Sequence, residues 1–236
     1  MDKARLSVVY EDGRVLAVDK PVGLAVIPGR GLVEEPLSLL ASRALGGKVF
    51  VVHRLDRGAS GLVIFAKDAA THRDLSLLFE GRRMHKLYLA LVQGRLEADG
   101  AVDRPLRAFG SGRMGLASTG VGKASLTRYR VLGRAEQAAL LKAAPETGRR
   151  HQIRVHLHSL GHPILGDPLY GKNRPVGGVG RLMLHAWRLD FELHQACYRL
   201  CAPPGEDFLE VLGRYGLSFQ GPEQFSEQDA GVGEQR

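Results

Sequence analysis

The stretch Val49-VFVVHRLDRGASGLVIFA-Ala66 decides how the chain is read. Two apolar, β-branched runs, Val49 to Leu55 and Leu62 to Ala66, have the composition of strands. Between them lies a polar, glycine-bearing segment, Asp56 to Gly61, where a strand stops and a turn begins. Turns of this kind expose side chains. If the pleat continues to the end of the first run, Arg54 and Asp56 leave the same face, since strand side chains repeat every second residue. A guanidinium beside a carboxylate favours its ionised form, which suits a nucleophile or a base; an ordinary structural ion pair at a turn has the same sequence pattern.

The flanks read outward from this pair of strands. Upstream, Leu6 to Tyr10, the Asp12-Gly13 turn and Val15 to Val18 make a hairpin, ended by Pro21 and Gly23. Pro36 opens a helix with Leu37, Leu40, Ala41 and Ala44 on one side, and Gly46-Gly47 closes it. Downstream, Asp68 caps a helix striped by Leu75, Leu78 and Phe79 and stopped at Gly81. A strand follows at Leu87 to Val92. From Gly94 to Gly122 the chain is rich in Gly, Arg and Ser without sustained periodicity, which predicts an exposed, partly mobile excursion able to touch a substrate. Strands resume at Ser125 to Leu132 and Ala138 to Ala143, and a helix spans about Arg150 to Leu160, with Ile153, Leu157 and Leu160 buried. Strands at Leu182 to Phe191 and Tyr198 to Cys201 and a helix at Asp207 to Tyr215 complete the body. Strands and helices without regular alternation predict an α+β fold with a mainly antiparallel mixed sheet and flanking helices.

The 236 residues hold 33 Lys and Arg against 25 Asp and Glu, a formal charge of +8. Glu223, Glu227, Asp229 and Glu234 concentrate acidity in the tail, so the body is more basic than the whole. Such a body suits an anionic partner, nucleic acid or an anionic membrane surface. No run approaches the roughly 18 apolar residues of a spanning helix, and the opening lacks the apolar region of a secretory signal. The expectation is a soluble cytoplasmic protein that binds no membrane. Residues 1–220 are expected to form one domain and 221–236 a disordered acidic tail, with no separate RNA-binding module expected ahead of Tyr10. Cys197 and Cys201 are too far apart along a strand for an easy disulfide and read as small packing residues.

Two further clusters carry chemistry. In Thr147-TGRRHQIRVHLHSLGHPILGDPLYG-Gly171, Arg150, Arg154 and His158 recur every fourth position and line one helix face, opposite the buried stripe. A solvated basic face has the same look. His151 with His158, or His156 with His162, have loose metal-ligand spacing, but no acidic or cysteine ligands accompany them, and no metal is expected. In Lys86-KLYLALVQG-Gly94, alternation puts Leu87, Leu89 and Leu91 on one side and Lys86 and Tyr88 on the other; Tyr88 is a core residue, or a ring that stacks on a nucleobase.

The segments HRLDRGASGL, KLYLALV and GRRHQIRVHLHSLGHPILGDPLYG closely resemble successive motifs of the RluA-type pseudouridine synthases. DKPVGLAVIPG (19–29) and LMLHAWRLDF (182–191) resemble two more, in the same order. The resemblance implies the pseudouridine synthase catalytic fold and isomerisation of a uridine in structured ribosomal or transfer RNA, without cofactor. It makes Asp56 the catalytic aspartate, Tyr88 the tyrosine stacked on the uracil and Arg154 the arginine paired with the aspartate. Arg54 resembles the arginine that helps displace or replace the flipped nucleotide. His53, Lys86, Arg150 and His151 join it as RNA or substrate contacts. Where the family commonly has Asp-Thr before Ser-Gly, this chain has Gly58-Ala59. A monomer without an obligate protein partner is expected.

Overall fold

The structure, a computed structural model, describes residues 6–29, 33–118, 120–171 and 178–221. Strands β1 (Ser7–Glu11) and β2 (Val15–Lys20) form the opening hairpin. Its turn is held by Asp12, whose Oδ1 accepts from the N–H groups of Arg14 and Val15, each at 2.7 Å. Helix α1 (Leu37–Ala44), strands β3 (Phe50–Val51) and β4 (Ser60–Ala66), helix α2 (Ala69–Glu80) and strand β5 (His85–Gln93) follow. The cap expected at Asp68 is present: its Oδ1 accepts from the Thr71 N–H at 2.8 Å. The chain continues through β6 (Gly100–Asp103), β7 (Leu106–Ala108), β8 (Met114–Leu116), β9 (Leu126–Arg134), β10 (Ala138–Pro145) and α3 (Gln152–Ser159). It ends in β11 (Leu184–Leu193), β12 (Ala196–Cys201) and α4 (Glu206–Arg214).

The fold is α+β, as expected. Ten strands share one sheet ordered β1-β2-β4-β11-β5-β10-β9-β6, with β3 also on β4 and β12 also on β11; β7 and β8 pair separately. Among the described residues every pairing between strands is antiparallel except β4 with β11, which run parallel over Ser60↔His185 and Gly61↔Ala186. This junction needs a glycine. Gly61 has φ +105, and a Cβ there would lie 2.2 Å from the Ala186 carbonyl oxygen.

Strand alternation divides the apolar residues between the two faces. Leu16, Val18, Val63 and Phe65 enter the larger core with Leu89, Leu140 and Trp187. Val15, Ala17, Leu62 and Ile64 face the other way and are covered by Leu75 and Leu78 of α2. A fully buried side chain such as Phe65 contributes on the order of 2–3 kcal/mol of transfer free energy.

Four expectations are corrected. The strand read over Val49 to Leu55 shrinks to Phe50–Val51, because the chain leaves the sheet to turn at Asp56. The Gly94 to Gly122 excursion is not irregular throughout: β6 extends the main sheet beside β9, and the β7–β8 hairpin packs through Leu106 on Val155 and Tyr170. On α3, Arg154 is buried, not solvated, while Leu160 is exposed; sheet and hairpin enclose the helix, so its first six residues are all buried. Cys197 is exposed, not packed. The acidic tail from Pro222 lies outside the described residues, and among those described no helix is long and apolar enough to cross a membrane.

Candidate active site

Asp56 stands where the chain, having left β3, turns back towards β4; the turn is closed by the Ala59 N–H donating to the Asp56 carbonyl at 3.1 Å. The turn is clamped from the DKPVGL segment. The Gly23 N–H donates to the Arg57 carbonyl at 2.9 Å, and Arg57 Nε returns a bond to the Gly23 carbonyl at 2.6 Å. Beneath them the fully buried Lys20 ammonium donates to the carbonyls of Pro21 (2.8 Å), Leu24 (2.9 Å) and Arg57 (3.3 Å). Burial, with Arg181 nearby, pulls the Lys20 pKa down to about 8. The motif departure at Gly58-Ala59 fits this packing: Ala59 is buried, and a Cβ on Gly58 would lie 3.3 Å from that of Leu182.

The carboxylate meets α3. Asp56 Oδ2 accepts from Arg154 Nη1 at 2.8 Å, and Oδ1 lies 3.8 Å from His151 Nε2. The other edge of the guanidinium is held in a fork, Nε to Asp167 Oδ2 at 2.7 Å and Nη2 to Asp167 Oδ1 at 2.8 Å. Burial alone would raise the Asp167 carboxyl; the Arg154 bonds and charge, with the N–H groups of Leu169 and Tyr170, outweigh it and hold the pKa below the usual carboxylate range. Burial opposes the Arg154 charge in the same way, and the two carboxylates overcome it, so Arg154 stays ionised.

Tyr88 is flanked across the sheet by two small residues, Ala143 on β10 and Ala186 on β11, which leave its ring as a wall of the cleft. Burial, then the Asp56 charge, raise its hydroxyl pKa far above the ordinary value, so the phenol is neutral. Lys86 lies on the same strand face; its ammonium donates to the Thr147 carbonyl at 3.2 Å, and burial lowers its pKa to about 8. His53 also lines the cleft, stacked on Phe79 at 4.9 Å, with Nε2 accepting from the Ile64 N–H at 2.9 Å. Burial and Lys86 depress its pKa to about 3, so it is a neutral ring rather than a cation.

The cleft formed by Asp56, Tyr88, Arg154, Lys86, His53 and His151 has a volume of about 430 Å³, within the size range of small-molecule sites. Arg54 and Arg82 are also on its lining, exposed and without an ion pair among the described residues. Arg150 does not line it; it sits exposed beside Gly112 in the turn of the β7–β8 hairpin, and its neighbour Arg149 lines the cleft. Sequence reasoning passed over Asp167 and Lys20. Their signal was a lone acid in the apolar ILGDPLY segment and a lysine at the end of an apolar strand. Arg82 (φ 56) and His151 (φ 55) hold left-handed backbone conformations, and both border the cleft.

The remaining histidines of the Thr147–Gly171 segment do other work. His156 bonds the Thr127 hydroxyl and the Arg104 carbonyl, and His162 Nδ1 donates to the Gln93 carbonyl. Among the described residues no three His, Cys, Asp or Glu side chains converge as metal ligands would.

The sequence profile described as RNA pseudouridylate synthase matches residues 14–159, a span holding Asp56, Tyr88 and Arg154. The chain belongs to this synthase family. Its relatives include the dual-specificity RNA pseudouridine synthase RluA of Vibrio cholerae, 41% identical over 190 residues, covering 79% of this chain and 77% of that protein. The ribosomal large subunit pseudouridine synthase D of Nitrosomonas europaea is 40% identical over 197 residues, covering 78% of this chain and 57% of that longer protein. The family member described here is thus of the RluA type. The solved structure of human RNA pseudouridylate synthase domain containing 1 superposes with a TM-score of 0.77 at 27% identity, covering 95% of each chain.

Proposed function

We propose that this chain converts a specific uridine of structured ribosomal or transfer RNA to pseudouridine, with Asp56 as the catalytic carboxylate and no cofactor. The observation that carries the reading is the asymmetry of Asp56, which lines a nucleoside-sized cleft walled by Tyr88: Oδ2 is committed to Arg154, while among the described residues Oδ1 accepts no hydrogen bond.

The reaction breaks the bond between ribose C1′ and uracil N1, turns the base and joins C1′ to C5. The proton lost from C5 is balanced by the one gained at N1, so product and substrate are isomers. A carboxylate serves whether it attacks the sugar or removes its proton, and Arg154 orients Asp56 through its bond to Oδ2. Tyr88 stacks on the uracil and keeps the detached base in place for recapture. Taking the nucleotide out of its stack costs a few kcal/mol. Arg54 fills the vacated position, and Lys86, Arg150 and the exposed cations around them bind phosphates. His53 and His151 complete the wall around the base. Residues 1–220 act as one catalytic domain, as a monomer in the cytoplasm.

The test is a site-resolved map of pseudouridine in total RNA from cells with and without the gene, complemented by wild type or Asp56→Ala. A site that disappears and is restored by wild type alone is expected, with the variant still binding RNA. An unchanged map would leave an RNA-binding protein without isomerase activity as the better reading.

A further inference from the structure

We propose that Tyr170 and His151 are a positioning pair for Asp56: the Tyr170 hydroxyl fixes the His151 ring as its Nε2–H tautomer, which presents an N–H to Asp56 Oδ1. The proposal rests on the reading of Asp56 as the catalytic carboxylate and adds the device that aims it.

The argument follows one proton. The Tyr170 oxygen accepts the Met114 N–H at 2.9 Å and lies 2.8 Å from His151 Nδ1. An amide N–H can only donate, so the phenol accepts there. Among the described residues its own proton has no acceptor but Nδ1. With Nδ1 accepting, a neutral ring carries its proton on Nε2, and that atom lies 3.8 Å from Asp56 Oδ1. The opposite tautomer would aim a lone pair at a carboxylate and strand the phenol proton. Burial lowers the His151 pKa despite the nearby Asp56 charge, in keeping with a neutral ring.

The backbone is bent to this purpose. His151 precedes α3 in a left-handed conformation, φ 55 and ψ 19, which a histidine adopts at a cost. That bend brings His151 to one oxygen of Asp56 while Arg154, three residues on, takes the other. The segment Asp167–Tyr170 braces both arms. Asp167 grips Arg154, and its Oδ1 also accepts from the Leu169 and Tyr170 N–H groups. Tyr170 meanwhile holds His151 and lays its ring 5.1 Å from the Arg154 guanidinium carbon. The gap of 3.8 Å exceeds a hydrogen bond, and gaps of this kind in unliganded sites close when substrate docks.

The experiment reads the tautomer first. Nitrogen-15 spectra of histidine-labelled, RNA-free protein, with the His151 signal assigned by its loss in His151→Gln, are expected to show the Nε2–H form. Tyr170→Phe, which keeps the ring and removes the hydroxyl, is expected to release that tautomer. It should also slow single-turnover pseudouridine formation by about tenfold to a hundredfold, as removal of an orienting partner does elsewhere. RNA affinity should fall by much less than the rate, because the exposed cations that bind phosphates are left unchanged. The glutamine of His151→Gln has its own N–H donor, so adding Tyr170→Phe to it should change the rate by less than about twofold. An Nδ1–H form in wild type, or an equal rate loss in both backgrounds, overturns the pair. Absence of pseudouridine from wild-type reactions overturns the proposed function instead, and the RNA-free spectra still judge the tautomer.

Discussion

Asp167→Ala tests whether the arginine that orients Asp56 is itself held from behind. The substitution removes both bonds of the Arg154 fork, at 2.7 and 2.8 Å, and the acceptor of the Leu169 and Tyr170 N–H groups at 2.9 and 3.1 Å. It leaves a guanidinium that is 5% exposed with Asp56 as its remaining carboxylate. Removing one partner of a buried ion pair costs about 3–5 kcal/mol. A chain of 236 residues loses roughly 2–4 °C of melting midpoint per kcal/mol, so the midpoint should fall by roughly 6–20 °C. The chain has one tryptophan, Trp187, buried in the main core, so its fluorescence follows unfolding by heat or urea. The pH dependence has a definite sign. The Asp167 pKa is depressed in the folded protein, so its contribution is complete above the unfolded value of about 3.9 and fades as pH falls through the lower folded value. The stability gap between wild type and Asp167→Ala should therefore narrow in acid. A variant within about 1 kcal/mol of wild type at neutral pH would refute the reasoning, since the median surface pair is worth no more than that.

Two other perturbations probe the frame and the cleft. Gly61→Ala places a methyl 2.2 Å from the Ala186 carbonyl oxygen, in a backbone conformation that disfavours side chains, and should cost more than about 4 kcal/mol or prevent soluble expression; wild-type unfolding would show that β4 and β11 do not approach this closely. The Lys86 ammonium is protonated below about pH 8 and neutral above, so RNA affinity should weaken as pH rises from 7 to 9. Lys86→Met should remove that part of the slope in fluorescence anisotropy titrations, and an unaltered slope would exclude Lys86 as a phosphate contact.

The elements that keep to one period are the ones the chain displays openly. The alternation of Val15 to Val18 and of Leu62 to Ala66, and the Asp68 cap with its Leu75 and Leu78 stripe, are local patterns, and each appears where expected. Elements whose partners are distant were less readable. β6, β7 and β8 are three or four residues each in Gly- and Arg-rich sequence, and their pairing comes from β9 and from one another rather than from composition. The regular recurrence of charged residues makes α3 look amphipathic in the sequence, yet buried partners enclose Arg154 and His156. The Arg154 contact with Asp56 spans 98 positions, and no spacing rule reaches that far; the family resemblance supplied it. Asp167 escaped notice because a single acid in a loop gives no pattern until its partner is known.

The parallel junction of β4 and β11 is also the seam at which the candidate site divides. Asp56 enters the cleft from the side of the β1-β2-β4 strands, whereas Tyr88 and Arg154 come from elements on the far side of that two-pair junction. The Arg154 contact with Asp56 closes a loop of 98 positions, and contacts of such separation slow folding. Each half-sheet therefore carries only part of the candidate site, and the set is complete only when the sheet is closed. Parting the two half-sheets at this seam would separate Asp56 from Tyr88 and Arg154 while leaving the strand pairings within each half intact.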